Sequence, residues 1–131
     1  METCKILIID DDQEDVEILS DAFQSSGVDS VHYVYTAMQA FMYLEKVVHQ
    51  ELPKLIVTDM YMPGMSGAEF LKDLKGMEPY KHIHTIVLSS TKNEQEMERY
   101  RLVGEVEYLI KPSSYEEYKK VAHYLTSKLK E

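Results

Sequence analysis

The sequence predicts an α/β fold, a doubly wound five-stranded parallel sheet with five helices. Three observations predict it. Five apolar segments of strand length alternate along the chain with five segments of helical periodicity. Three of the apolar segments are continuous, which is typical of strands that are buried on both faces beneath helices. A strand followed by a helix, repeated five times, favours a parallel sheet with right-handed crossovers and helices on both faces.

The predicted strands begin with a continuous apolar run near the N-terminus. The third and fourth strands are also continuous, whereas the second is weaker and is expected nearer an edge of the sheet. In chain order the five strands are Lys5–Ile9, Val31–Tyr35, Leu55–Thr58, Thr85–Leu88 and Val106–Ile110.

Capping signals place the first three helices. Gly27 is well placed to end the first helix, because glycine favours the backbone conformation that terminates a helix. Thr36 with Gln39 and Ser66 with Glu69 form capping boxes that open the second and third helices. The apolar stripes of these helices follow the helical period. They are Val16, Leu19, Ala22 and Phe23 in the first helix, Phe41, Leu44, Val47 and Val48 in the second, and Phe70, Leu71 and Leu74 in the third.

Two further helices follow the fourth and fifth strands. The segment Asn93–Val103 is highly charged, and its apolar stripe is the thinnest of the five: Met97, Tyr100 and Val103. Ser113 with Glu116 forms the capping box that opens the last helix. The apolar positions of that helix follow the 3.6-residue period closely: Tyr115, Tyr118, Val121, Ala122, Leu125 and Leu129.

Length and composition limit the classes of protein. The chain has 131 residues, a formal net charge of −9 and 44% apolar residues, which predict one folded domain over residues 1–131 without an output domain. Its one cysteine excludes an intrachain disulfide. No apolar run approaches the roughly 20 residues that span a bilayer, and no signal peptide is recognisable, so we expect a cytoplasmic protein. The acidic balance argues against a general nucleic-acid-binding protein.

Polar residues follow four of the five predicted strands. They are Asp10, Asp11 and Asp12 after the first strand, Asp59 after the third, Ser89-Ser90-Thr91 at the end of the fourth, and Lys111-Pro112 after the fifth. Ligands of parallel sheets bind beyond the carboxyl ends of the strands, so we expect these side chains at one edge. Each residue alone has an ordinary alternative role, and Asp12 in particular fits a helix N-cap. Their joint placement indicates a functional site.

The acidic part of this edge predicts a magnesium site. Asp10, Asp11 and Asp59 would repel one another strongly if they were crowded together without a cation, and with Lys111 they sum to a charge of −2. A hard divalent cation would neutralise that charge. Mg²⁺ suits the site, because it takes oxygen ligands, keeps several waters and often shares its site with phosphate.

The motifs at the strand ends resemble those of the receiver domain of two-component response regulators, the CheY-like superfamily. The resemblance rests on an acidic pair, an aspartate four residues before a proline, a strand-end hydroxyl and a Lys-Pro pair, in this order. The matching segments are Ile6–Asp12, Ile56–Gly67, Val87–Ser90 and Tyr108–Pro112. The resemblance covers essentially the whole chain. It implies the flavodoxin-like strand order 2-1-3-4-5 and a stand-alone, single-domain response regulator.

The resemblance implies a role for each residue of the site. Asp59 matches the aspartate that takes a phosphoryl group from a partner's phosphohistidine. Asp10 and Asp11 match the acidic pair that holds Mg²⁺. Asp11 and Asp59 would be direct ligands, Asp10 would act mainly through water, and the backbone carbonyl of Tyr61 would supply another ligand. Lys111 matches the lysine that pairs with the phosphoryl oxygens.

The resemblance also implies a switch. Ser89 matches the switch hydroxyl, with Ser90 as the alternative if the strand ends one residue later, and Tyr108 matches the aromatic residue whose rotamer reports the state of the site. The surface that responds would be the fourth helix, the fifth strand and the fifth helix. The bond between Lys111 and Pro112 is usually cis in this family.

The implied function is phosphorelay signal transduction by a phosphoprotein that catalyses only its own phosphorylation and dephosphorylation. The implied partners are a sensor histidine kinase or histidine phosphotransfer protein and a downstream protein target. Neither nucleic acid nor a membrane is expected as a partner. The chain would be a monomer or a phosphorylation-dependent dimer.

Three other classes fit the sequence less well. A haloacid-dehalogenase-type phosphatase would need a second acid two residues after Asp59, where Tyr61 stands. A flavodoxin-like FMN carrier would need a loop rich in hydroxyl residues and glycine after the first strand, where this chain has three aspartates. A degenerate receiver would act as a phosphorylation-independent interaction module and would lack some of the site residues. This chain has all of them: Asp10, Asp11, Asp59, Ser89 and Lys111.

Overall fold

Five parallel strands form one sheet in the computed structural model, which describes residues 6–47, 51–62, 64–90, 93–104 and 106–129. The strands are β1 (Ile6–Ile9), β2 (Val31–Val34), β3 (Leu55–Asp59), β4 (His84–Ser89) and β5 (Val106–Ile110). Their order across the sheet is β2-β1-β3-β4-β5, and every neighbouring pair is parallel. The predicted order is confirmed, and β2 lies at an edge as expected.

Among the described residues, five helices accompany the strands: α1 (Gln13–Ser25), α2 (Ala37–Lys46), α3 (Gly67–Lys75), α4 (Glu94–Val103) and α5 (Tyr115–Lys128). Each begins after a residue whose side-chain oxygen accepts a hydrogen bond from a backbone N–H of the first turn, which has no partner within the helix. These N-caps are Asp12, Thr36, Ser66, Asn93 and Ser114. No helix in the described ranges is long and apolar enough to cross a membrane.

The predicted start of the last helix is wrong by one residue. Ser114 Oγ accepts from the Glu117 N–H at 3.2 Å, while the Ser113 hydroxyl donates to the Glu117 carboxylate at 2.9 Å. Both serines have a glutamate three residues later, so the pattern alone does not choose between them. In this register Tyr115 is 44% exposed and does not belong to the buried stripe.

The second helix is shorter than its apolar stripe predicts. It ends at Lys46, because Val47 already has an extended backbone, with φ −90° and ψ 133°. Val48, the last residue of that predicted stripe, lies outside the described residues, as does Lys5 at the start of the first predicted strand.

A small hairpin that the sequence did not predict follows β3. Tyr61–Met62 pairs antiparallel with Met65–Ser66, apart from the main sheet. Strands of two residues are too short for any period to show. Gly64 lies in its turn with φ 81°, a conformation that favours glycine.

Helices cover both faces of the sheet. The residues of β1 are at most 1% exposed, and they alternate between two cores. Leu7 and Ile9 face the core that α2, α3 and α4 cover. Ile6 and Ile8 face the core that α1 and α5 cover. The prediction of a doubly wound fold is therefore confirmed.

Candidate functional site

Three aspartates lie together at the carboxyl ends of β1 and β3. These strands are neighbours, with Ile9 opposite Thr58, so Asp10 leaves the sheet beside Asp59. Oxygen atoms of Asp10, Asp11 and Asp59 lie within 4.8 Å of one another. Asp10 is buried, Asp59 is partly buried and Asp11 is exposed. The cluster is therefore open to solvent at Asp11.

Lys111 extends from the end of β5 into the same cluster. Its Nζ lies 3.2 Å from Asp10 Oδ2 and 3.3 Å from Asp59 Oδ1. A third carboxylate, that of Asp15, is closer still, at 2.7 Å. The backbone N–H of Lys111 donates to the Ser89 carbonyl at 2.6 Å, which fixes the base of the side chain against the end of β4.

Asp15 is a site residue that the sequence reasoning missed. It lies in the first turn of α1, where its N–H donates to Asp12 Oδ1 at 3.2 Å. Its carboxylate Oδ1 accepts from the Tyr118 hydroxyl at 3.4 Å. The predicted N-cap Asp12 could have indicated it. An N-cap three residues after the end of β1 places the first turn of α1, and therefore Asp15, near the same edge of the sheet.

Burial dominates the electrostatics of the acidic cluster. It raises the pKa of Asp10 to about 6, and the Asp59 charge adds to that rise, although the Asp12 N–H and Lys111 oppose it. Burial also raises the pKa of Asp59, against the opposing charge of Lys111. Burial lowers the pKa of Lys111, but the hydrogen bond to Asp15 and the charges of Asp10 and Asp59 outweigh it and raise that pKa overall. Lys111 is therefore charged at neutral pH.

The donor set of this cluster fits a hard divalent cation. It consists of three carboxylates, and the raised pKa values of Asp10 and Asp59 show that one ammonium does not compensate their burial. Oxygen ligands with excess negative charge are what Mg²⁺ takes in proteins. Tyr61, predicted to supply a backbone carbonyl, lies in the hairpin shortly after Asp59, and its role as a ligand stays a prediction.

Ser89 and Ser90 have different environments at the end of β4. Ser89 is the last residue of the strand and is 1% exposed, whereas Ser90 is exposed and lies outside the strand. The Ser89 hydroxyl donates to Met60 Sδ at 3.6 Å. Met60 directly follows Asp59 in the chain. The strand does not extend one residue further, which was the condition for the Ser90 alternative, and the role of Ser89 as the switch hydroxyl stays a prediction.

Two tyrosines connect this region to α4 and β5. Tyr100 is buried, and its hydroxyl donates to the Met60 carbonyl at 3.4 Å. Its ring lies 5.8 Å from that of Tyr108, which is partly buried. Gly67 permits the approach, because a Cβ there would lie 2.7 Å from both the Asp59 carbonyl and the Tyr100 hydroxyl. The sequence placed Tyr100 in an apolar stripe, but this hydroxyl contact was missed.

The expected cis bond between Lys111 and Pro112 is wrong. No peptide bond in the part of the chain that the structure describes is cis. Lys111 reaches the carboxylates of Asp10, Asp15 and Asp59 with a trans bond after it.

The whole site lies within a segment that matches a known family. The model of the response regulator receiver domain matches residues 6–123. The chain belongs to this family. Receiver domains accept phosphoryl groups in phosphorelay signalling, receive signals from histidine kinases or phosphotransfer proteins, and bind Mg²⁺ at an acidic pocket. They are phosphoacceptors rather than enzymes in the usual sense. The match over residues 6–123 confirms the resemblance to receiver domains.

Relatives of this receiver domain come from plants and bacteria. The two-component response regulator ORR1 of Oryza sativa subsp. japonica is 31% identical in an alignment of length 113 that covers 82% of this chain and 49% of ORR1. The polar-differentiation response regulator DivK of Brucella ovis is 27% identical over 112 residues, which are 86% of this chain and 87% of DivK. The receiver domain thus spans about half the length of ORR1 and most of DivK.

A solved structure shows the same fold. The phosphorylated cyanobacterial phytochrome response regulator RcpA superposes with a TM-score of 0.83 at 22% identity, over 96% of this chain and 93% of RcpA. At this identity the likeness concerns the fold alone.

Proposed function

We propose that this chain is a phosphoacceptor switch whose Asp59 takes a phosphoryl group from a partner's phosphohistidine in a Mg²⁺-dependent reaction. The observation that carries the proposal is the convergence of charges at Asp59. Oxygens of Asp10 and Asp11 lie within 4.8 Å of its carboxylate, and the Lys111 Nζ lies 3.3 Å from Asp59 Oδ1.

Asp59 acts as the nucleophile in this proposal. Its carboxylate oxygen forms a bond to phosphorus, and the bond from phosphorus to the partner's imidazole nitrogen breaks. The nitrogen keeps the electron pair of that bond and is protonated. Such transfer depends on positioning and on neutralising the phosphoryl oxygens, and the Lys111 ammonium provides positive charge beside Asp59. The acidic cluster and the Tyr61 carbonyl would hold Mg²⁺, which would supply further positive charge to the same oxygens.

Phosphorylation changes the hydrogen bonding of Ser89 in this proposal. The phosphoryl group carries a charge of about −1.5 to −2. The Ser89 hydroxyl, which donates to the Met60 sulfur at 3.6 Å, gains a charged oxygen acceptor, and a thioether is a weaker acceptor. Movement of Ser89 toward that oxygen vacates space that Tyr108 can fill. The surface of α4, β5 and α5 then changes and contacts a downstream protein or a second copy of the chain.

Labelling with acetyl phosphate and Mg²⁺ tests the phosphoacceptor. The wild type should carry an acid-stable label that alkaline pH or hydroxylamine removes, as expected of an acyl phosphate. Asp59→Asn should carry none. Asp73→Asn removes an exposed carboxylate from α3, serves as the matched control, and should be labelled fully. Full labelling of Asp59→Asn on Ser89 or a histidine would contradict the proposal. An unlabelled wild type would favour a phosphorylation-independent interaction module.

A further inference from the structure

Lys111 has a closer partner than the two aspartates of the predicted site. Its Nζ lies 2.7 Å from Asp15 Oδ2, against 3.2 Å and 3.3 Å from Asp10 and Asp59. The side chains of Lys111 and Asp15 are 17% and 27% exposed, so solvent screens this pair less than an ordinary surface pair. Exposed ion pairs contribute little to stability. The Asp15–Lys111 pair is partly buried and should therefore be stronger than such exposed pairs.

Asp15 is held by two helices. Its N–H donates to the N-cap oxygen of Asp12 at 3.2 Å, which fixes its position at the start of α1. Its Oδ1 accepts from the hydroxyl of Tyr118 at 3.4 Å, and Tyr118 is buried on α5. The carboxylate is therefore oriented from α1 and α5 and does not depend on the strand ends that carry the acidic cluster.

A cation at the acidic cluster would change the partners of Lys111. The oxygens that could hold a cation belong to Asp10, Asp11 and Asp59, and Asp15 is not among them. When Asp10 and Asp59 share their negative charge with a cation, their attraction for the ammonium weakens. The Asp15 carboxylate does not share its charge with the cation, so its attraction for the Lys111 ammonium is not weakened.

We propose that Asp15 is a positioning residue for phosphoryl transfer to Asp59. It holds the Lys111 ammonium at the site while a cation occupies the other carboxylates, so that the ammonium is in place when the phosphoryl oxygens arrive. The inference rests on the proposed roles of Asp59 and Lys111.

Asp15→Asn tests this role, because the amide keeps the size of the side chain but lacks the charge that holds Lys111. We expect the rate constant for Asp59 phosphorylation, at saturating Mg²⁺ and acetyl phosphate, to fall by about tenfold. A shift of about 1 Å in a catalytic group can lower a rate roughly a hundredfold. A tenfold loss therefore corresponds to a smaller displacement of the Lys111 ammonium. Asp21→Asn removes an exposed carboxylate from the same helix and is the matched control, with an unchanged rate.

Lys111→Met separates positioning from a general loss of charge. If Asp15 acts through Lys111, then Asp15→Asn should change the rate by less than about twofold when Lys111 is already absent. Mg²⁺ affinity, measured by calorimetry, gives a readout that does not involve phosphorylation. Loss of one negative charge weakens Mg²⁺ binding in both backgrounds. Competition by the released ammonium for Asp10 and Asp59 weakens it further only where Lys111 is present.

An equal loss in both Lys111 backgrounds, in either measurement, would overturn the proposal. If Asp15→Asn does not fold, Tyr118→Phe is the alternative test variant, because it removes the hydroxyl that orients Asp15. It should lower the rate by a smaller factor, again only with Lys111 present, and an unchanged rate there contradicts the role. An unlabelled wild type refutes the proposed function itself. A labelled wild type with Asp15→Asn as fast as Asp21→Asn refutes only the role of Asp15.

Discussion

The helices α1 and α4 differ in how firmly they are attached to the sheet. α1 buries four residues: Val16, Leu19, Ala22 and Phe23. α4 buries only Tyr100, and its Leu102 is 82% exposed. Burial of apolar surface is the dominant favourable term in folding, so α4, with the buried Tyr100 and the partly buried Val103 packed against the core, is held less firmly than α1.

Both helices nevertheless contact the site. α1 contributes Asp15, whose carboxylate lies 2.7 Å from the Lys111 ammonium. α4 contributes Tyr100, whose hydroxyl donates to the Met60 carbonyl at 3.4 Å. A firmly attached helix suits the positioning of a charge. A weakly attached helix suits a response to that charge, because moving elements come from the least stable parts of a fold.

Truncation of one buried aromatic residue in each helix should have the largest effect. Phe23 and Tyr100 are both at most 1% exposed. Phe23→Ala should lower the free energy of unfolding by about 3–5 kcal/mol, measured by urea denaturation. Tyr100→Ala should also release α4 locally, so that amides of α4 lose protection from hydrogen exchange while those of α1 exchange only through global unfolding. Equal loss of protection in both helices would show that they form one cooperative unit.

Magnesium should act mainly on the side of α1, because Asp10 and Asp11 directly precede that helix. A ligand at about 100 times its dissociation constant adds about 2.7 kcal/mol to the free energy of unfolding, and Asp11→Asn should remove most of this gain. Amide chemical shifts should change at the start of α1 more than in α4. A wild-type melting temperature that Mg²⁺ leaves unchanged would contradict the cation site.

The magnesium effect should also depend on pH. Burial raises the pKa of Asp10 from 3.8 to about 6. Its contribution to the stability of the cation-free protein is therefore fully present below the unfolded pKa and is lost as the pH rises through about 6. Since a cation needs the ionised carboxylate, stabilisation by Mg²⁺ should be largest above that pH and fade below it. Melting temperatures with and without Mg²⁺ should converge on acidification, and a constant difference would exclude Asp10 from the effect.

The sequence predicted what local pattern and strand order determine. Apolar segments of strand length predicted the strands, and the shared edge of parallel strands brought the site carboxylates together with Lys111. The contacts of Asp15 with Lys111 and of Tyr100 with Met60 join residues 96 and 40 positions apart. They depend on how helices pack on the sheet, for which one sequence has no periodic signal. The start of α5 was ambiguous because two adjacent serines offer the same capping pattern.

A phosphoryl mimic should affect α4 more than α1 while changing the free energy of unfolding little. Beryllofluoride should change the amide chemical shifts of α4 and around Tyr108 more than those of α1, because Ser89 and Lys111 end the two strands that α4 joins. Ser89→Ala should keep phosphorylation at Asp59 but lose the response of α4. Ser90→Ala, at the exposed neighbouring position, is the control and should respond fully. Equal changes in α1 and α4, or a full response in Ser89→Ala, would show that the switch does not use this hydroxyl.

Removal of a single oxygen from α4 should have the smallest effect. Tyr100→Phe keeps the buried ring and its contact with Tyr108 but removes the donor to the Met60 carbonyl. A hydrogen bond contributes about 0.5–1.5 kcal/mol net, and the Met60 carbonyl also accepts from the Gly67 N–H at 2.8 Å, so the loss should fall at the low end. Hydrogen exchange of α4 amides should therefore quicken by about two- to threefold, which corresponds to the lower figure, while α1 amides are unchanged. Tyr118→Phe, which removes a hydroxyl on the side of α1 and α5, should leave α4 exchange unaffected. If α4 exchange in Tyr100→Phe equals that of the wild type, the hydroxyl does not couple α4 to the site.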